Sequence, residues 1–154
     1  MSVDTVKSYF SKYHMDDKII ELKDSSATVE LAAQALGCEP KRIAKTLSFT
    51  VSDQFILIVM AGDAKIDNKK FKDEFHEKAK MIPAEEVEHD IGHAPGGVCP
   101  FAVNDGIKVY LDTSLKRFET VFPAAGSSNS AIKLSLPELE RYSNCIKWID
   151  VCKI

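Results

Sequence analysis

The sequence predicts an α+β domain in which a mixed, curved β-sheet is flanked by helices. Three observations lead there. Apolar residues recur at three- and four-residue steps in some stretches and in continuous or alternating runs in others, so helices and strands follow one another along the chain. The run FILIVMA, Phe55 to Ala61, is apolar on both faces, as a central strand is. The 154 residues contain no internal repeat, low-complexity tract or linker, so residues 1–154 read as one domain.

Each element has a local reason. Val3, Val6, Phe10 and Tyr13 form one stripe of an N-terminal helix. IIEL, Ile19 to Leu22, reads as a short strand. Ser25, Ser26 and Thr28 are candidate N-caps for the helix VELAAQALG, with Gly37 as its natural stop, and EPKRIA supplies a short helix from Pro40. TLSFTV and QFILIVMA are β-branched and aromatic runs joined at Ser52-Asp53, a hairpin. NKKFKDEFHEKA is a charged helix with Phe71 and Phe75 on one face. KMIP reads as a short strand, and PAEEVEHDIG as a helix opened by Pro83 and closed by Gly92. KVYLD, ETVFPA, AIKLS and KWIDVC are four further strands, with the helix PELERYS before the last.

Composition narrows the function. A net charge of −3 excludes a broadly basic protein that coats nucleic acid without preference, but leaves room for a local basic patch. No apolar run approaches the roughly 20 residues that span a bilayer, and the N-terminus lacks the basic-then-apolar order of a secretion signal. A cytoplasmic protein with no membrane partner is expected. The four cysteines, Cys38, Cys99, Cys145 and Cys152, form no CxxC pair in a chain large enough to have a core, so reduced thiols are expected.

The most unusual stretch is GHAPGGVCPF, residues 92–101, with three glycines and two prolines in ten positions. Such a segment suits a fixed loop whose N–H groups a ligand can approach, or a structural turn between a helix and a strand. No GxGxxG or Walker pattern is present, so nucleotide phosphate binding has no support and no cofactor is expected. Lys45 opens the strand KTLSF, where its ammonium either snorkels to water or enters a pocket. AAGSSNS, residues 124–130, is a tight turn or a polar pocket rim. Glu85 and Glu86 precede His89, but no HExxH or paired Cys/His spacing completes a site, and no metal is expected. No G-x-S-x-G elbow surrounds Ser127 or Ser128. Lys65, Lys69, Lys70 and Lys72 form either a solvated face or a patch that contacts phosphates.

The succession VELAAQALG, KRIAKTLSF, ILIVMAGDAKIDNKKF, EEVEHDIGHAPGGVCPF, KVYLDTSLKRFETVFPAAGSSNSAIKL and LERYSNCIKWIDV resembles the YbaK/EbsC family and the editing domain inserted in bacterial prolyl-tRNA synthetases. The resemblance covers nearly the whole chain. It implies a trans-editing deacylase that hydrolyses the ester of a mischarged tRNA, with that tRNA as partner and a synthetase as a second one to consider. It implies that Lys45, Gly96 and Gly97 are catalytic, the glycines through main-chain N–H groups that polarise the ester carbonyl and Lys45 through its charge. Thr28, Glu30, Gly92, His93, Pro95, Ser127, Ser128 and Asn129 would bind substrate, and Lys65, Lys69 and Lys70 the tRNA. Relatives with aromatic residues near the N-terminal segment are associated with cysteine removal. This chain has Lys23 and Thr28 there, so alanine, serine and threonine stand beside cysteine as candidates. Two other classes are carried forward: a module that binds a tRNA end without hydrolysis, and a thiol enzyme using Cys99 with His93.

Overall fold

A computed structural model describes residues 2–23 and 28–154. Helix α1 (Ser2–Ser11) completely buries Val6 and Phe10, and the Phe10 ring meets Phe101 edge-on with centroids 4.9 Å apart. The first helix is thereby pinned to the end of the glycine-rich segment. Strand β1 (Ile19–Glu21) follows, then α2 (Val29–Leu36), whose N-cap is Thr28: its Oγ1 accepts the Leu31 N–H at 3.1 Å. Ser25 and Ser26, the other expected caps, lie outside the described residues. The expected short helix at Pro40 is a single 3-10 turn, Pro40–Arg42.

Strands β2 (Ile43–Val51) and β3 (Gln54–Ala61) form the expected hairpin. Its two turn residues, Ser52 and Asp53, have φ of 50° and 62°, the left-handed pair whose twist matches that of the strands it joins. From Ile56 to Ala61 no residue of β3 is more than 2% exposed, so this strand is the middle of the core. Burying each such aliphatic side chain is worth about 1.5–3 kcal/mol.

Strand β4 (Lys65–Ile66) precedes α3 (Asn68–Phe75), which is shorter than its charge pattern predicts. His76 adopts φ 63° and ends it, and Glu77 instead accepts the Ser52 N–H at 2.9 Å, tying the returning chain to the hairpin turn. The expected strand at KMIP is one bridge, Phe49 to Met81, with Ile82 donating to Ser48 O at 3.1 Å. That segment runs along β2 without becoming a ladder. Helix α4 (Ala84–Ile91) leads into the glycine-rich loop, and β5 (Lys108–Asp112), the 3-10 turn Thr113–Arg117 and β6 (Thr120–Pro123) follow it.

The expected strand AIKLS is two, β7 (Ser130–Ile132) against β1 and β8 (Leu134–Ser135) against β6. Helix α5 (Leu136–Ser143) opens with a capping box between Ser135 and Glu138. KWIDVC is likewise divided, into β9 (Lys147–Ile149) and β10 (Cys152–Lys153). The reason is Asp112: its buried carboxylate takes the Val151 N–H at 2.9 Å, turning the chain out of one sheet and onto β4.

The main sheet has six strands in the order β8-β6-β2-β3-β5-β9. It mixes antiparallel pairs, β2/β3 and β6/β8, with parallel ones, β2/β6, β3/β5 and β5/β9. The architecture is the single-domain α+β fold with a mixed, curved sheet that the pattern predicts. Among the described residues no helix is long and apolar enough to cross a membrane.

Candidate functional site

A cavity of about 510 Å³ opens where α2, the start of β2, the segment around Met81–Ile82, the Pro95–Gly96 corner and the 127–131 turn meet. Its lining is largely apolar, with Val29, Leu36, Ile43, Leu47, Met81 and Phe122 among the walls. Of the residues singled out from sequence, Thr28, Lys45, Pro95, Gly96 and Ser127 share this cavity. A second depression of about 400 Å³ lies behind the loop, lined by Gly92, Gly97 and Ser128, with Pro95 and Ser127 common to both. The loop is therefore a thin wall with a hollow on each side.

Lys45 sits in β2 opposite Met60. Its Nζ donates to the Gly62 carbonyl at 3.3 Å and makes no bond to the glycine-rich loop. Burial lowers its pKa from the ordinary lysine value, while the neighbouring Cys152, Asp63 and Glu30 pull it back up. A partly desolvated ammonium with one long hydrogen bond has donors to spare for a ligand.

The loop is organised by contacts that composition could not show. His93 is wholly buried, and its Nε2 donates to the Phe101 carbonyl at 2.7 Å, a bond that closes residues 93–101 from inside. Burial lowers the His93 pKa, outweighing the hydrogen bond to the Phe101 carbonyl, which raises it. His93 thus supports the loop from the core side and lines neither hollow. Cys99 lies 3.5 Å from His93 Nε2, and complete burial pushes its thiol up to about 12. A thiol in that state is a poor nucleophile, which argues against the thiol-enzyme class.

Gly97 is required by packing. A Cβ there would stand 2.7 Å from Gly126 O and from Ser127 Cα, so loop and turn touch backbone to backbone. The Gly97 N–H donates to Ala94 O at 2.9 Å and is committed to the turn. Gly96, exposed and at φ 89°, presents an N–H that no described residue accepts. Of the two amides expected to face a ligand, only that of Gly96 lacks an acceptor among the described residues.

Ser127 Oγ lies 2.8 Å from Asn129 Oδ1 and 2.7 Å from Ser130 Oγ, and Asn129 Nδ2 donates to Leu22 O at 3.0 Å. This hydroxyl-rich turn both borders the cavity and fastens β1. Glu30 is exposed on α2, outside the lining but close enough to act on Lys45. Lys65 and Lys69 are exposed, whereas Lys70 is held by Asp150 at 3.1 Å and by the Cys152 carbonyl at 3.0 Å.

Sequence reasoning missed Thr46, whose buried Oγ1 has no partner among the described residues and which lines the cavity. Its strand position next to Lys45 was the available signal. It also missed the apolar wall from Met81 and Phe122, which only the tertiary fold assembles. All four cysteines are free, and among the described residues no cluster of three or more His, Cys, Asp or Glu side chains could hold a metal ion.

Fold and site together define an α+β domain with a largely apolar cavity, edged by Lys45 of a strand on one side and by the Gly96 corner of the loop on the other. The chain belongs to the aminoacyl-tRNA editing domain family, whose model matches residues 23–142. It is 53% identical to the uncharacterized protein YwhH of Bacillus subtilis (strain 168), covering 99% of this chain and 98% of that one. It is 26% identical over 107 residues to the proline–tRNA ligase of the same organism, 69% of this chain but 19% of the ligase. A solved structure described as a candidate trans-editing enzyme for prolyl-tRNA synthetase superposes with a TM-score of 0.89 at 27% identity, covering 99% of this chain and 98% of that one.

Proposed function

We propose that this protein, acting over residues 1–154 as one editing domain in the cytoplasm, hydrolyses the ester of a mischarged tRNA in trans. The observation that carries the reading is the meeting of Lys45 and Gly96 at one cavity in a chain of the editing-domain family. The acyl side chain would occupy the apolar hollow, and a small residue, alanine, serine, threonine or cysteine, is the expected cargo. The relation to a candidate trans-editing enzyme for prolyl-tRNA synthetase supports placing the chain beside that synthetase.

An aminoacyl ester is already activated, so orientation and charge stabilisation suffice. Water adds to the ester carbonyl carbon, with the neighbouring ribose hydroxyl relaying its proton to the departing ribose oxygen. The carbon–oxygen bond to the ribose then breaks, leaving a free amino acid and an uncharged tRNA. The Gly96 N–H donates to the developing oxyanion, and Gly97 serves by letting the loop pack closely enough to hold that amide in place. Lys45 stabilises negative charge on the oxyanion or on the terminal nucleotide. Lys65 and Lys69 contact the tRNA backbone without reading sequence.

The test is a panel of Ala-, Ser-, Thr- and Cys-tRNAs incubated with the protein and with Lys45→Ala. At least one ester is lost faster than in buffer with the wild type, and the variant slows that loss by about 10²–10³. Salt-sensitive binding of tRNA with no ester lost from any substrate would instead identify a binding module.

A further inference from the structure

The ammonium of Lys45 is held by a carbonyl that is itself clamped from two sides. Gly62, which supplies it, directly follows β3. On one side a Cβ at Gly62 would stand 2.1 Å from Pro40 O and 2.8 Å from Val29 Cγ1, so this peptide is pressed against the 3-10 turn and α2. On the other side the turn Thr113–Arg117 grips the residues flanking it. Ser114 Oγ accepts the Ala61 N–H at 3.1 Å, and Arg117 donates through both terminal nitrogens to the two Asp63 carboxylate oxygens, at 3.0 and 2.5 Å. That turn is in turn capped by Asp112, which accepts the Ser114 N–H at 2.9 Å.

We infer that Asp63 and Arg117 are positioning residues for Lys45: their forked ion pair fixes the Gly62 carbonyl, and so the place of the ammonium at the cavity edge. The inference rests on the proposed deacylase reading and adds to it a second layer that touches no substrate. An exposed ion pair contributes little to stability, typically about 0–1 kcal/mol, so stability alone gives a weak reason for a bidentate clamp here. Its location, one residue from the carbonyl that binds Lys45, gives a better one.

Asp63 also takes part in the charge balance around Lys45. The groups facing that ammonium are Cys152 on β10, Glu30 on α2, Lys65 on β4, and Asp63 in the turn after β3. Asp63 in turn faces Arg117 and Lys41, and Arg117 faces Asp112. Arg117 holds the Asp63 carboxyl below its ordinary pKa, so Asp63 stays ionised through the neutral range with its charge largely matched. Removing one partner therefore pushes Lys45 in the opposite direction from removing the other. Asp63→Asn takes away a nearby anion and leaves Arg117 uncompensated, lowering the Lys45 titration. Arg117→Gln leaves the Asp63 anion unmatched and raises it.

The experiment follows Lys45 by NMR in protein carrying ¹³C at lysine Cε, with its signal identified by its loss in Lys45→Met, alongside single-turnover deacylation at saturating enzyme. The inference predicts that the Lys45 midpoint falls in Asp63→Asn and rises in Arg117→Gln. Both variants should slow the single-turnover step roughly ten- to hundredfold, with half-saturating enzyme concentration unchanged. Asp63→Glu, which keeps the charge, should recover part of the rate. Midpoints that stay fixed or move together, or rates equal to wild type, overturn the inference while Lys45→Met still loses activity. If Lys45→Met itself deacylates at the wild-type rate, the deacylase role of Lys45 falls first. Melting curves on every variant separate a misplaced lysine from an unfolded chain.

Discussion

The two walls of the cavity are built from opposite materials. The Lys45 wall is a regular strand that contributes one charged side chain, and its neighbours, Gly62, Asp63 and Arg117, set where that charge sits. The loop wall contributes backbone: the Gly96 N–H has no acceptor among the described residues, and Gly97 and His93 hold the loop in place by packing and by one buried hydrogen bond. Under the proposed function the site divides its work between a charge that neighbours tune and a dipole that geometry alone fixes. Substitutions in the first wall should change rates and pH dependence, and those in the second should change stability as well.

Lys45→Met is the sharpest probe of that division. Its expected loss, about 10²–10³ in single-turnover rate, comes without loss of melting temperature, because a half-buried ammonium with a single 3.3 Å bond contributes little to folding. Gly97→Ala should fail on both counts. The new methyl meets the backbone of Gly126 and Ser127, neither of which can swing aside, so thermal or denaturant unfolding should report a loss of about 1–3 kcal/mol together with a slower reaction. A Gly97→Ala protein as stable and active as wild type would erase the distinction.

His93 gives the loop wall a pH dependence of its own. Its folded pKa lies below the ordinary imidazole value of 6.5, so the unfolded chain binds the proton more readily. The stability that neutral His93 provides is fully present above pH 6.5 and is lost as pH falls from there through the folded pKa. Melting temperatures measured from pH 7.5 to 5 should drop on the acid side more steeply in the wild type than in His93→Gln, which cannot titrate. The smallest effect belongs to Lys70→Ala. That ammonium is already matched by Asp150 at the surface, so its removal should change stability by no more than about 1 kcal/mol in a salt titration.

The same contrast governs what the sequence made legible. Hairpin, central strand and helix caps followed from short-range chemistry: Ser52-Asp53 accepts left-handed φ, Thr28 caps its helix, and FILIVMA is buried on both faces. Strand lengths did not, because the breaks in KWIDVC and AIKLS are made by distant partners such as Asp112, 39 residues from Val151. The loop wall announced itself through composition, since three glycines in ten positions are conspicuous. The state of each amide was invisible, and only the fold shows Gly97 committed to Ala94 while the Gly96 N–H has no acceptor among the described residues. The Lys45 wall was the reverse: one lysine on a strand says nothing until resemblance to a family draws attention to it, and its supports come from residues 17 and 72 positions away.

In the proposed reaction the chain contributes a cation and a fixed amide while the substrate's own ribose hydroxyl relays the proton. That division of labour is decided by single-turnover hydrolysis, at saturating enzyme, of an alanyl-tRNA whose terminal ribose lacks the neighbouring hydroxyl, beside the intact substrate. The intact ester should be cleaved rapidly and the deoxy ester at a rate close to that in buffer. Equal rates for the two would mean that a side chain of the protein moves the proton, and would contradict it.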